Sequence, residues 1–216
     1  MSQATIKKSK KYTATNKSVI LSGVHMYYLS HLDGGKAKYG TKGDDLMERE
    51  YSVQILINKD IKKTLKSLHK KLSVKELSAK EFESKLGCKP PFEAEEYLTI
   101  TISNNAGYVD KKTKEIKGLS APVVKDSTKK DLAEIGIANG ALGAIGVQIT
   151  DYSHDKFGSG TSLNFRQVIL KEYEEYVATS EDEFADDDFD FEEGDFAEME
   201  ESSEPTPESQ ADDDWS

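Results

Sequence analysis

Residues 140–173 read GALGAIGVQITDYSHDKFGSGTSLNFRQVILKEY. Ile145, Val147 and Ile149 alternate with Gly146, Gln148 and Thr150, which gives a strand one apolar side and one polar side. A turn rich in Gly, Ser and Asp follows, and residues 163–170 read as a second strand. Gly158 and Gly160 in that turn can take backbone angles that other residues resist, while β-branched residues fill the flanking strands. The pattern predicts a long hairpin that closes a small antiparallel barrel.

Beyond Ala178 the composition changes. Residues 179–216 hold 18 Asp and Glu and no Lys or Arg, so the net charge of -11 divides into -18 here and +7 for residues 1–178, with 29 basic and 22 acidic side chains. The isoelectric point of 4.9 therefore describes the tail. A basic body with an acidic extension suggests a surface for a polyanion and a tail that competes for that surface. A body of this length buries one core, which gives three parts: a flexible basic arm over 1–17, a single domain over 18–178 and a disordered acidic tail over 179–216. The single cysteine, Cys88, rules out an intrachain disulfide, fits a reducing cytosol and reads as buried or incidental. No apolar segment follows the basic N-terminus, so neither secretion nor membrane insertion is expected.

Along the body, residues 19–32 (VILSGVHMYYLSHL) read as a strand bent or bulged near Gly23, with Tyr27 or Tyr28 pointing outward. The loop DGGKAKYGTKGDD then interleaves Lys36, Lys38 and Lys42 with Tyr39; lysines neutralise phosphates and a tyrosine ring gives a stacking surface, as a flexible unpaired strand requires. It is equally a solvated hairpin loop, and its glycines match neither the phosphate loop of nucleotide hydrolases nor a dinucleotide fingerprint.

Residues 48–58 form the next strand, with Val53, Ile55 and Ile57 in the core. Asp60 is placed to cap a helix over 61–72 whose Ile61, Leu65, Leu68 and Leu72 form an apolar stripe. Ser78 and Glu81 have capping-box spacing for a second helix that Gly87 stops. Residues 97–103 (YLTITIS) are a strand; Asn104, Asn105 and Gly107 signal a turn; and GYVDKKTKEIKG predicts a hairpin that offers Tyr108, Lys111 and Lys112. The connection over 123–131 has no definite pattern. Strands surrounding an inserted helical segment make this a mainly β protein, an oligonucleotide-binding (OB-fold) barrel.

The order YSVQILINKD, NGALGAIGVQITDY and GTSLNFRQVILKEYEE, followed by an acidic tail with an aromatic residue near its end, resembles the single-stranded DNA-binding proteins encoded by tailed bacteriophages. The resemblance covers the layout of residues 19–176. It implies an OB barrel that coats DNA exposed in replication and recombination, and a tail that blocks the DNA groove when DNA is absent. The setting it implies is the cytoplasm of an infected bacterial host.

Expected partners are single-stranded DNA, a second copy of the chain, and a replication polymerase, helicase or primase met through the tail. There an indole, Trp215, anchors while Asp212, Asp213 and Asp214 meet basic groups; related tails end directly in an aromatic residue, whereas Ser216 follows here. Stacking is expected of Tyr28, Tyr39, Tyr108, Tyr152 and Phe157. Phosphate contacts are expected of Lys36, Lys38, Lys42, Arg49, Lys111, Lys112, Lys156 and Arg166.

His25, His31, His69 and His154 show no zinc spacing, no nucleophile sits beside a base, and no cofactor is expected. Alternatives are a DNA-mimicking regulatory scaffold and a metal-dependent DNA-processing enzyme.

Overall fold

The computed structural model describes residues 4–13, 17–29, 35–69, 72–132, 136–154 and 158–176. The chain divides into two compact units, Met1–Val177 and Ala178–Ser216, and the tail residues lie outside the described part.

The first unit is mainly β. Its strands are β1 (Thr5–Lys8), β2 (Lys17–Tyr27), β3 (Lys36–Ala37), β4 (Arg49–Ile57), β5 (Lys75–Leu77), β6 (Tyr97–Asn105), β7 (Gly107–Val109), β8 (Ile116–Gly118), β9 (Val123–Asp126), β10 (Ala141–His154) and β11 (Gly158–Glu172). Two helices, α1 (Lys59–Leu68) and α2 (Ala79–Leu86), fall between β4 and β6. None of the described helices is long and apolar enough to cross a membrane.

Antiparallel pairing runs β6-β4-β2-β10-β11. Strand β11 also lies against β6, where the Asn104 side chain bridges the seam that closes this sheet on itself. Asn104 accepts from the Phe165 N–H at 3.0 Å, and its amide nitrogen donates to the Phe165 carbonyl. A five-stranded barrel in this order, with the third strand beside the fifth, is the OB topology. Strand β5 extends β6, and β9 pairs parallel with β11.

Alternation fills the barrel. Val53, Ile55 and Ile57 of β4, Ile145, Val147 and Ile149 of β10, and Phe165 and Val168 of β11 are buried in one cluster. Burying each such side chain contributes about 1.5–3 kcal/mol. Ile61 and Leu65 of α1 join the same cluster from the C-terminal end of β4. The residues of opposite parity serve a second core on the outside of the sheet, where Tyr27, Leu56 and Tyr97 meet Phe82 and Leu86 of α2. The Tyr27 and Phe82 rings pack edge-on at 5.5 Å.

Several expectations change. Residues 1–17 are not all arm, because β1 pairs with β2 in the register Ile6↔Leu21. Helix α1 is capped by Asn58, whose Oδ1 accepts from Ile61 N–H at 2.8 Å; Asp60 sits in the first turn, and the helix ends at Leu68. The capping box of α2 forms as expected, and Gly87 stops it at φ +65°. Asn104 and Asn105 continue β6 instead of turning. Gly158 and Gly160 lie in β11, opposite His154 and Tyr152, so the connection is confined to residues 155–157, outside the described part. Gly23 is the bulge anticipated in β2: it lacks a partner between Gly143↔Val24 and Ala144↔Ser22, and its φ of +68° suits glycine.

Candidate nucleic-acid interface

Two segments meet at the end of the barrel where β4 begins and β6 ends. The first is the loop over 35–48, which the sequence builds as a self-bonded unit. Lys36 and Ala37 pair with Glu50 and Arg49, and Lys38 N–H donates to Glu48 O at 2.7 Å. Asp45 caps a short 3-10 turn, Leu46–Glu48, by accepting from the N–H groups of Met47 and Glu48 at 2.6 and 3.1 Å. The Glu48 carboxylate accepts from Gly43 N–H at 3.0 Å and Asp44 N–H at 3.3 Å. With its polar groups satisfied internally, the loop holds Tyr39 fully exposed.

The second segment is the β7–β8 hairpin. A Cβ on Gly107 would stand 2.7 Å from Leu46 Cβ, so only glycine lets the hairpin and the 3-10 turn touch this closely. The loop that carries Tyr39 and Lys42 and the hairpin that carries Tyr108, Lys111 and Lys112 are thus joined at Leu46 and Gly107. Tyr108 is about half exposed, as are its neighbours Val109 and Ile116. Within the hairpin Asp110 accepts from Lys112 N–H at 2.8 Å and Thr113 N–H at 3.3 Å, and pairs with Lys117 at 2.6 Å. The hydrogen bond from Lys117, followed by those from the backbone, holds the Asp110 carboxyl below its usual range.

Beside these segments lies the outer face of β4 and β6, where Gln54 and Thr101 are paired positions, as are Ser52 and Ser103. Gln54 Nε2 donates to Thr99 Oγ1 at 3.0 Å. Ser52 and Thr99 are buried there, and Gln54, Thr101 and Ser103 are the neutral polar groups open to solvent. The sequence reading missed this face because each strand was judged singly; superposing the polar positions of the two strands would have brought it out.

The remaining sequence-derived residues separate from this group. Tyr28 is half-buried at φ +61°, its N–H donates to Asn139 Oδ1 at 2.7 Å, and its hydroxyl donates to the Lys85 carbonyl at the end of α2, which places it against α2 and away from the loop and hairpin. Lys38 is tied into its own loop, with Nζ donating to Met47 O at 2.5 Å. Lys36 faces Glu50 at 3.6 Å, so its charge is partly answered within the fold. Arg49 is half-buried at the base of the loop, its carbonyl accepting from Ala106 N–H at 3.0 Å.

Arg166 points outward on β11 and lines a groove with Lys10 and Lys11, apart from the loop and hairpin residues. Tyr152 stands in β10 opposite Gly160, and only its strand position is described. Lys156, Phe157, Asp212, Asp213, Asp214 and Trp215 lie outside the described residues. His25 has a structural contact, Nδ1 to Gly140 O at 3.0 Å. Burial raises the Cys88 thiol above its ordinary range, which suits an inert position. Among the described residues no three His, Cys, Asp or Glu side chains group as metal ligands.

No family model and no curated protein sequence matches the chain. Among solved structures it is similar to gp2.5, a single-stranded DNA-binding protein encoded by bacteriophage T7, with 20% identity over 83% of this chain and 97% of that one and a TM-score of 0.45. It is similar also to the single-stranded DNA-binding protein of bacteriophage Enc34: 18% identity, 82% of this chain, 95% of that one and a TM-score of 0.40. A C-terminal truncation of that protein gives 21%, 78%, 97% and 0.41.

Proposed function

We propose that this chain binds single-stranded DNA with little regard to sequence. The observation that carries the reading is the contact at Leu46 and Gly107 between a loop and a hairpin that each expose a tyrosine, Tyr39 and Tyr108, and that carry Lys42, Lys111 and Lys112. These three lysines have no ion-pair partner among the described residues. Every base has a face to offer a ring, and each useful stack contributes about 1–3 kcal/mol, while the lysines neutralise phosphates. A duplex hides those faces, so the same surface favours the unpaired form. The position agrees with the way OB barrels hold oligonucleotides, on the face of the second and third strands beside the loop joining the first two. Tyr152, Lys156 and Phe157, at the β10–β11 connection, belong to the same proposal.

The acidic residues 179–216 act in this reading as a DNA-like competitor for the basic body. Trp215 among Asp212, Asp213 and Asp214 anchors a replication protein, and the setting is phage replication and recombination in an infected bacterial cell. The test is fluorescence anisotropy of the full chain, residues 1–178 and residues 1–214 on matched single and double strands at two salt concentrations. Single strands should bind more tightly, salt should weaken binding, and removal of 179–216 should raise affinity. Equal affinity for both DNA forms refutes the stacking mode; a body that binds no more tightly than the full chain at low salt refutes competition by the tail.

A further inference from the structure

The outer face of β2, β10 and β11 carries a groove of about 630 Å³ that the loop-and-hairpin surface does not use. Its cations reach it by two separate devices. On β11, Gly146 faces Gln167 and Val147 faces Phe165, which leaves Arg166 unpaired in a bulge; Phe165 and Val168 both turn inward, so Arg166 and Gln167 both turn out. Across the groove, the turn Ser9–Tyr12 after β1 is closed by Tyr12 N–H to Ser9 O at 3.1 Å and tied to β2 by Ser9 N–H to Ser18 O at 2.9 Å, and Lys10 and Lys11 line the groove from it.

No carboxylate lines this groove, and Lys10, Lys11 and Arg166 have no ion-pair partner among the described residues. By contrast Lys17, Lys36, Lys62, Lys85, Lys117 and Lys171 each face a carboxylate within 3.6 Å. Three uncompensated cations around one concavity repel one another until an anion enters. The lining contains no aromatic ring of the kind Tyr39 and Tyr108 offer a base, while the amides of Gln148 and Gln167 add donors and Gly146 leaves the floor low.

We propose that this groove is a second contact for nucleic acid, one that takes the phosphodiester backbone of the segment flanking the bases held by Tyr39 and Tyr108. The inference rests on the single-strand reading above. An arginine fork and amide donors suit phosphate oxygens, while Ile20, Ala144 and Ile169 in the lining leave apolar surface for the sugars between them.

The experiment uses the full chain and its Lys10→Gln, Lys11→Gln, Arg166→Gln triple variant, titrated with oligothymidylates of about 6 and about 20 nucleotides, spanning the site sizes of OB folds. A thermal melt confirms that these exposed substitutions leave the fold intact. The short strand should bind both proteins alike. For the long strand, losing three phosphate contacts should flatten the slope of log affinity against log salt by about 2, so that the wild-type excess loss between about 50 and about 200 mM salt shrinks on the order of 20-fold. A Lys111→Gln, Lys112→Gln control should weaken both lengths.

The proposal is overturned if the triple variant keeps the wild-type slope on the long strand, or if it weakens the short strand as much as the long one. Loss of polyglutamate binding by the variant with DNA binding intact also overturns it, in favour of an acidic peptide. Failure of the wild-type chain to bind either strand refutes the underlying single-strand reading, a result distinct from all of these.

Discussion

Asn104→Ala should open the barrel seam, and its cost follows from what the amide satisfies. Phe165 is fully buried, and both of its backbone groups bond to the Asn104 side chain. Removing that side chain strands one N–H and one C=O of a fully buried residue at a half-buried seam, each costing about 1–3 kcal/mol. The sum, about 2–6 kcal/mol, corresponds to a fall in melting temperature of roughly 10 °C for a domain of this size.

Urea denaturation with thermal melts measures it, and two further variants separate hydrogen bonding from filled space. Asn104→Leu keeps volume and should remain destabilised by a similar amount. Asn104→Asp can still accept from the Phe165 N–H but sets a carboxylate oxygen against the Phe165 carbonyl. Its deficit relative to wild type should shrink as pH falls and the acid gains a proton to donate. An Asn104→Ala loss under about 0.5 kcal/mol, the range of ordinary surface changes, or full rescue by leucine, refutes the account of how the seam closes.

Tyr39→Ala and Tyr108→Ala should each lower single-strand affinity by about 1–3 kcal/mol in anisotropy titrations while the melting temperature barely moves, since Tyr39 is fully exposed and Tyr108 about half exposed; early melting with normal binding would mean the rings support the fold instead. Val147→Ala deletes buried methyl groups from the barrel centre and should cost about 2 kcal/mol in denaturant with DNA binding retained once folded; a neutral effect would contradict its place in the core. Because the Asp110 carboxyl is held below its usual range by Lys117, the hairpin gains stability above the unfolded-state value and loses it as pH falls through the depressed folded value. Hydrogen exchange of the β7–β8 amides should accelerate over that acid window and show a weaker pH dependence in Lys117→Met, where only the backbone hydrogen bonds remain; identical profiles for the two proteins would remove the ion pair from the account.

Period-two alternation legislates locally, so the inward rows Val53, Ile55, Ile57 and Ile145, Val147, Ile149 were legible in the chain itself, as were the capping box Ser78–Glu81 and the β7–β8 hairpin. Glycine at position 23 announced its bulge by the same local logic. What distant contacts decide was not legible. Asn104 has the residue type of a turn and became the barrel's closing bond because Phe165, 61 residues away, needed both partners. Tyr27 and Tyr28 are equivalent in an isolated strand; the docking of α2 buries the first and pins the second through Lys85. Arg166 carried the right charge for a phosphate, but a bulge set by pairing with β10 chose its face and grouped it with Lys10 and Lys11. Side-chain chemistry and spacing fix what a residue can do, whereas the register between strands far apart in sequence fixes which residues do it together.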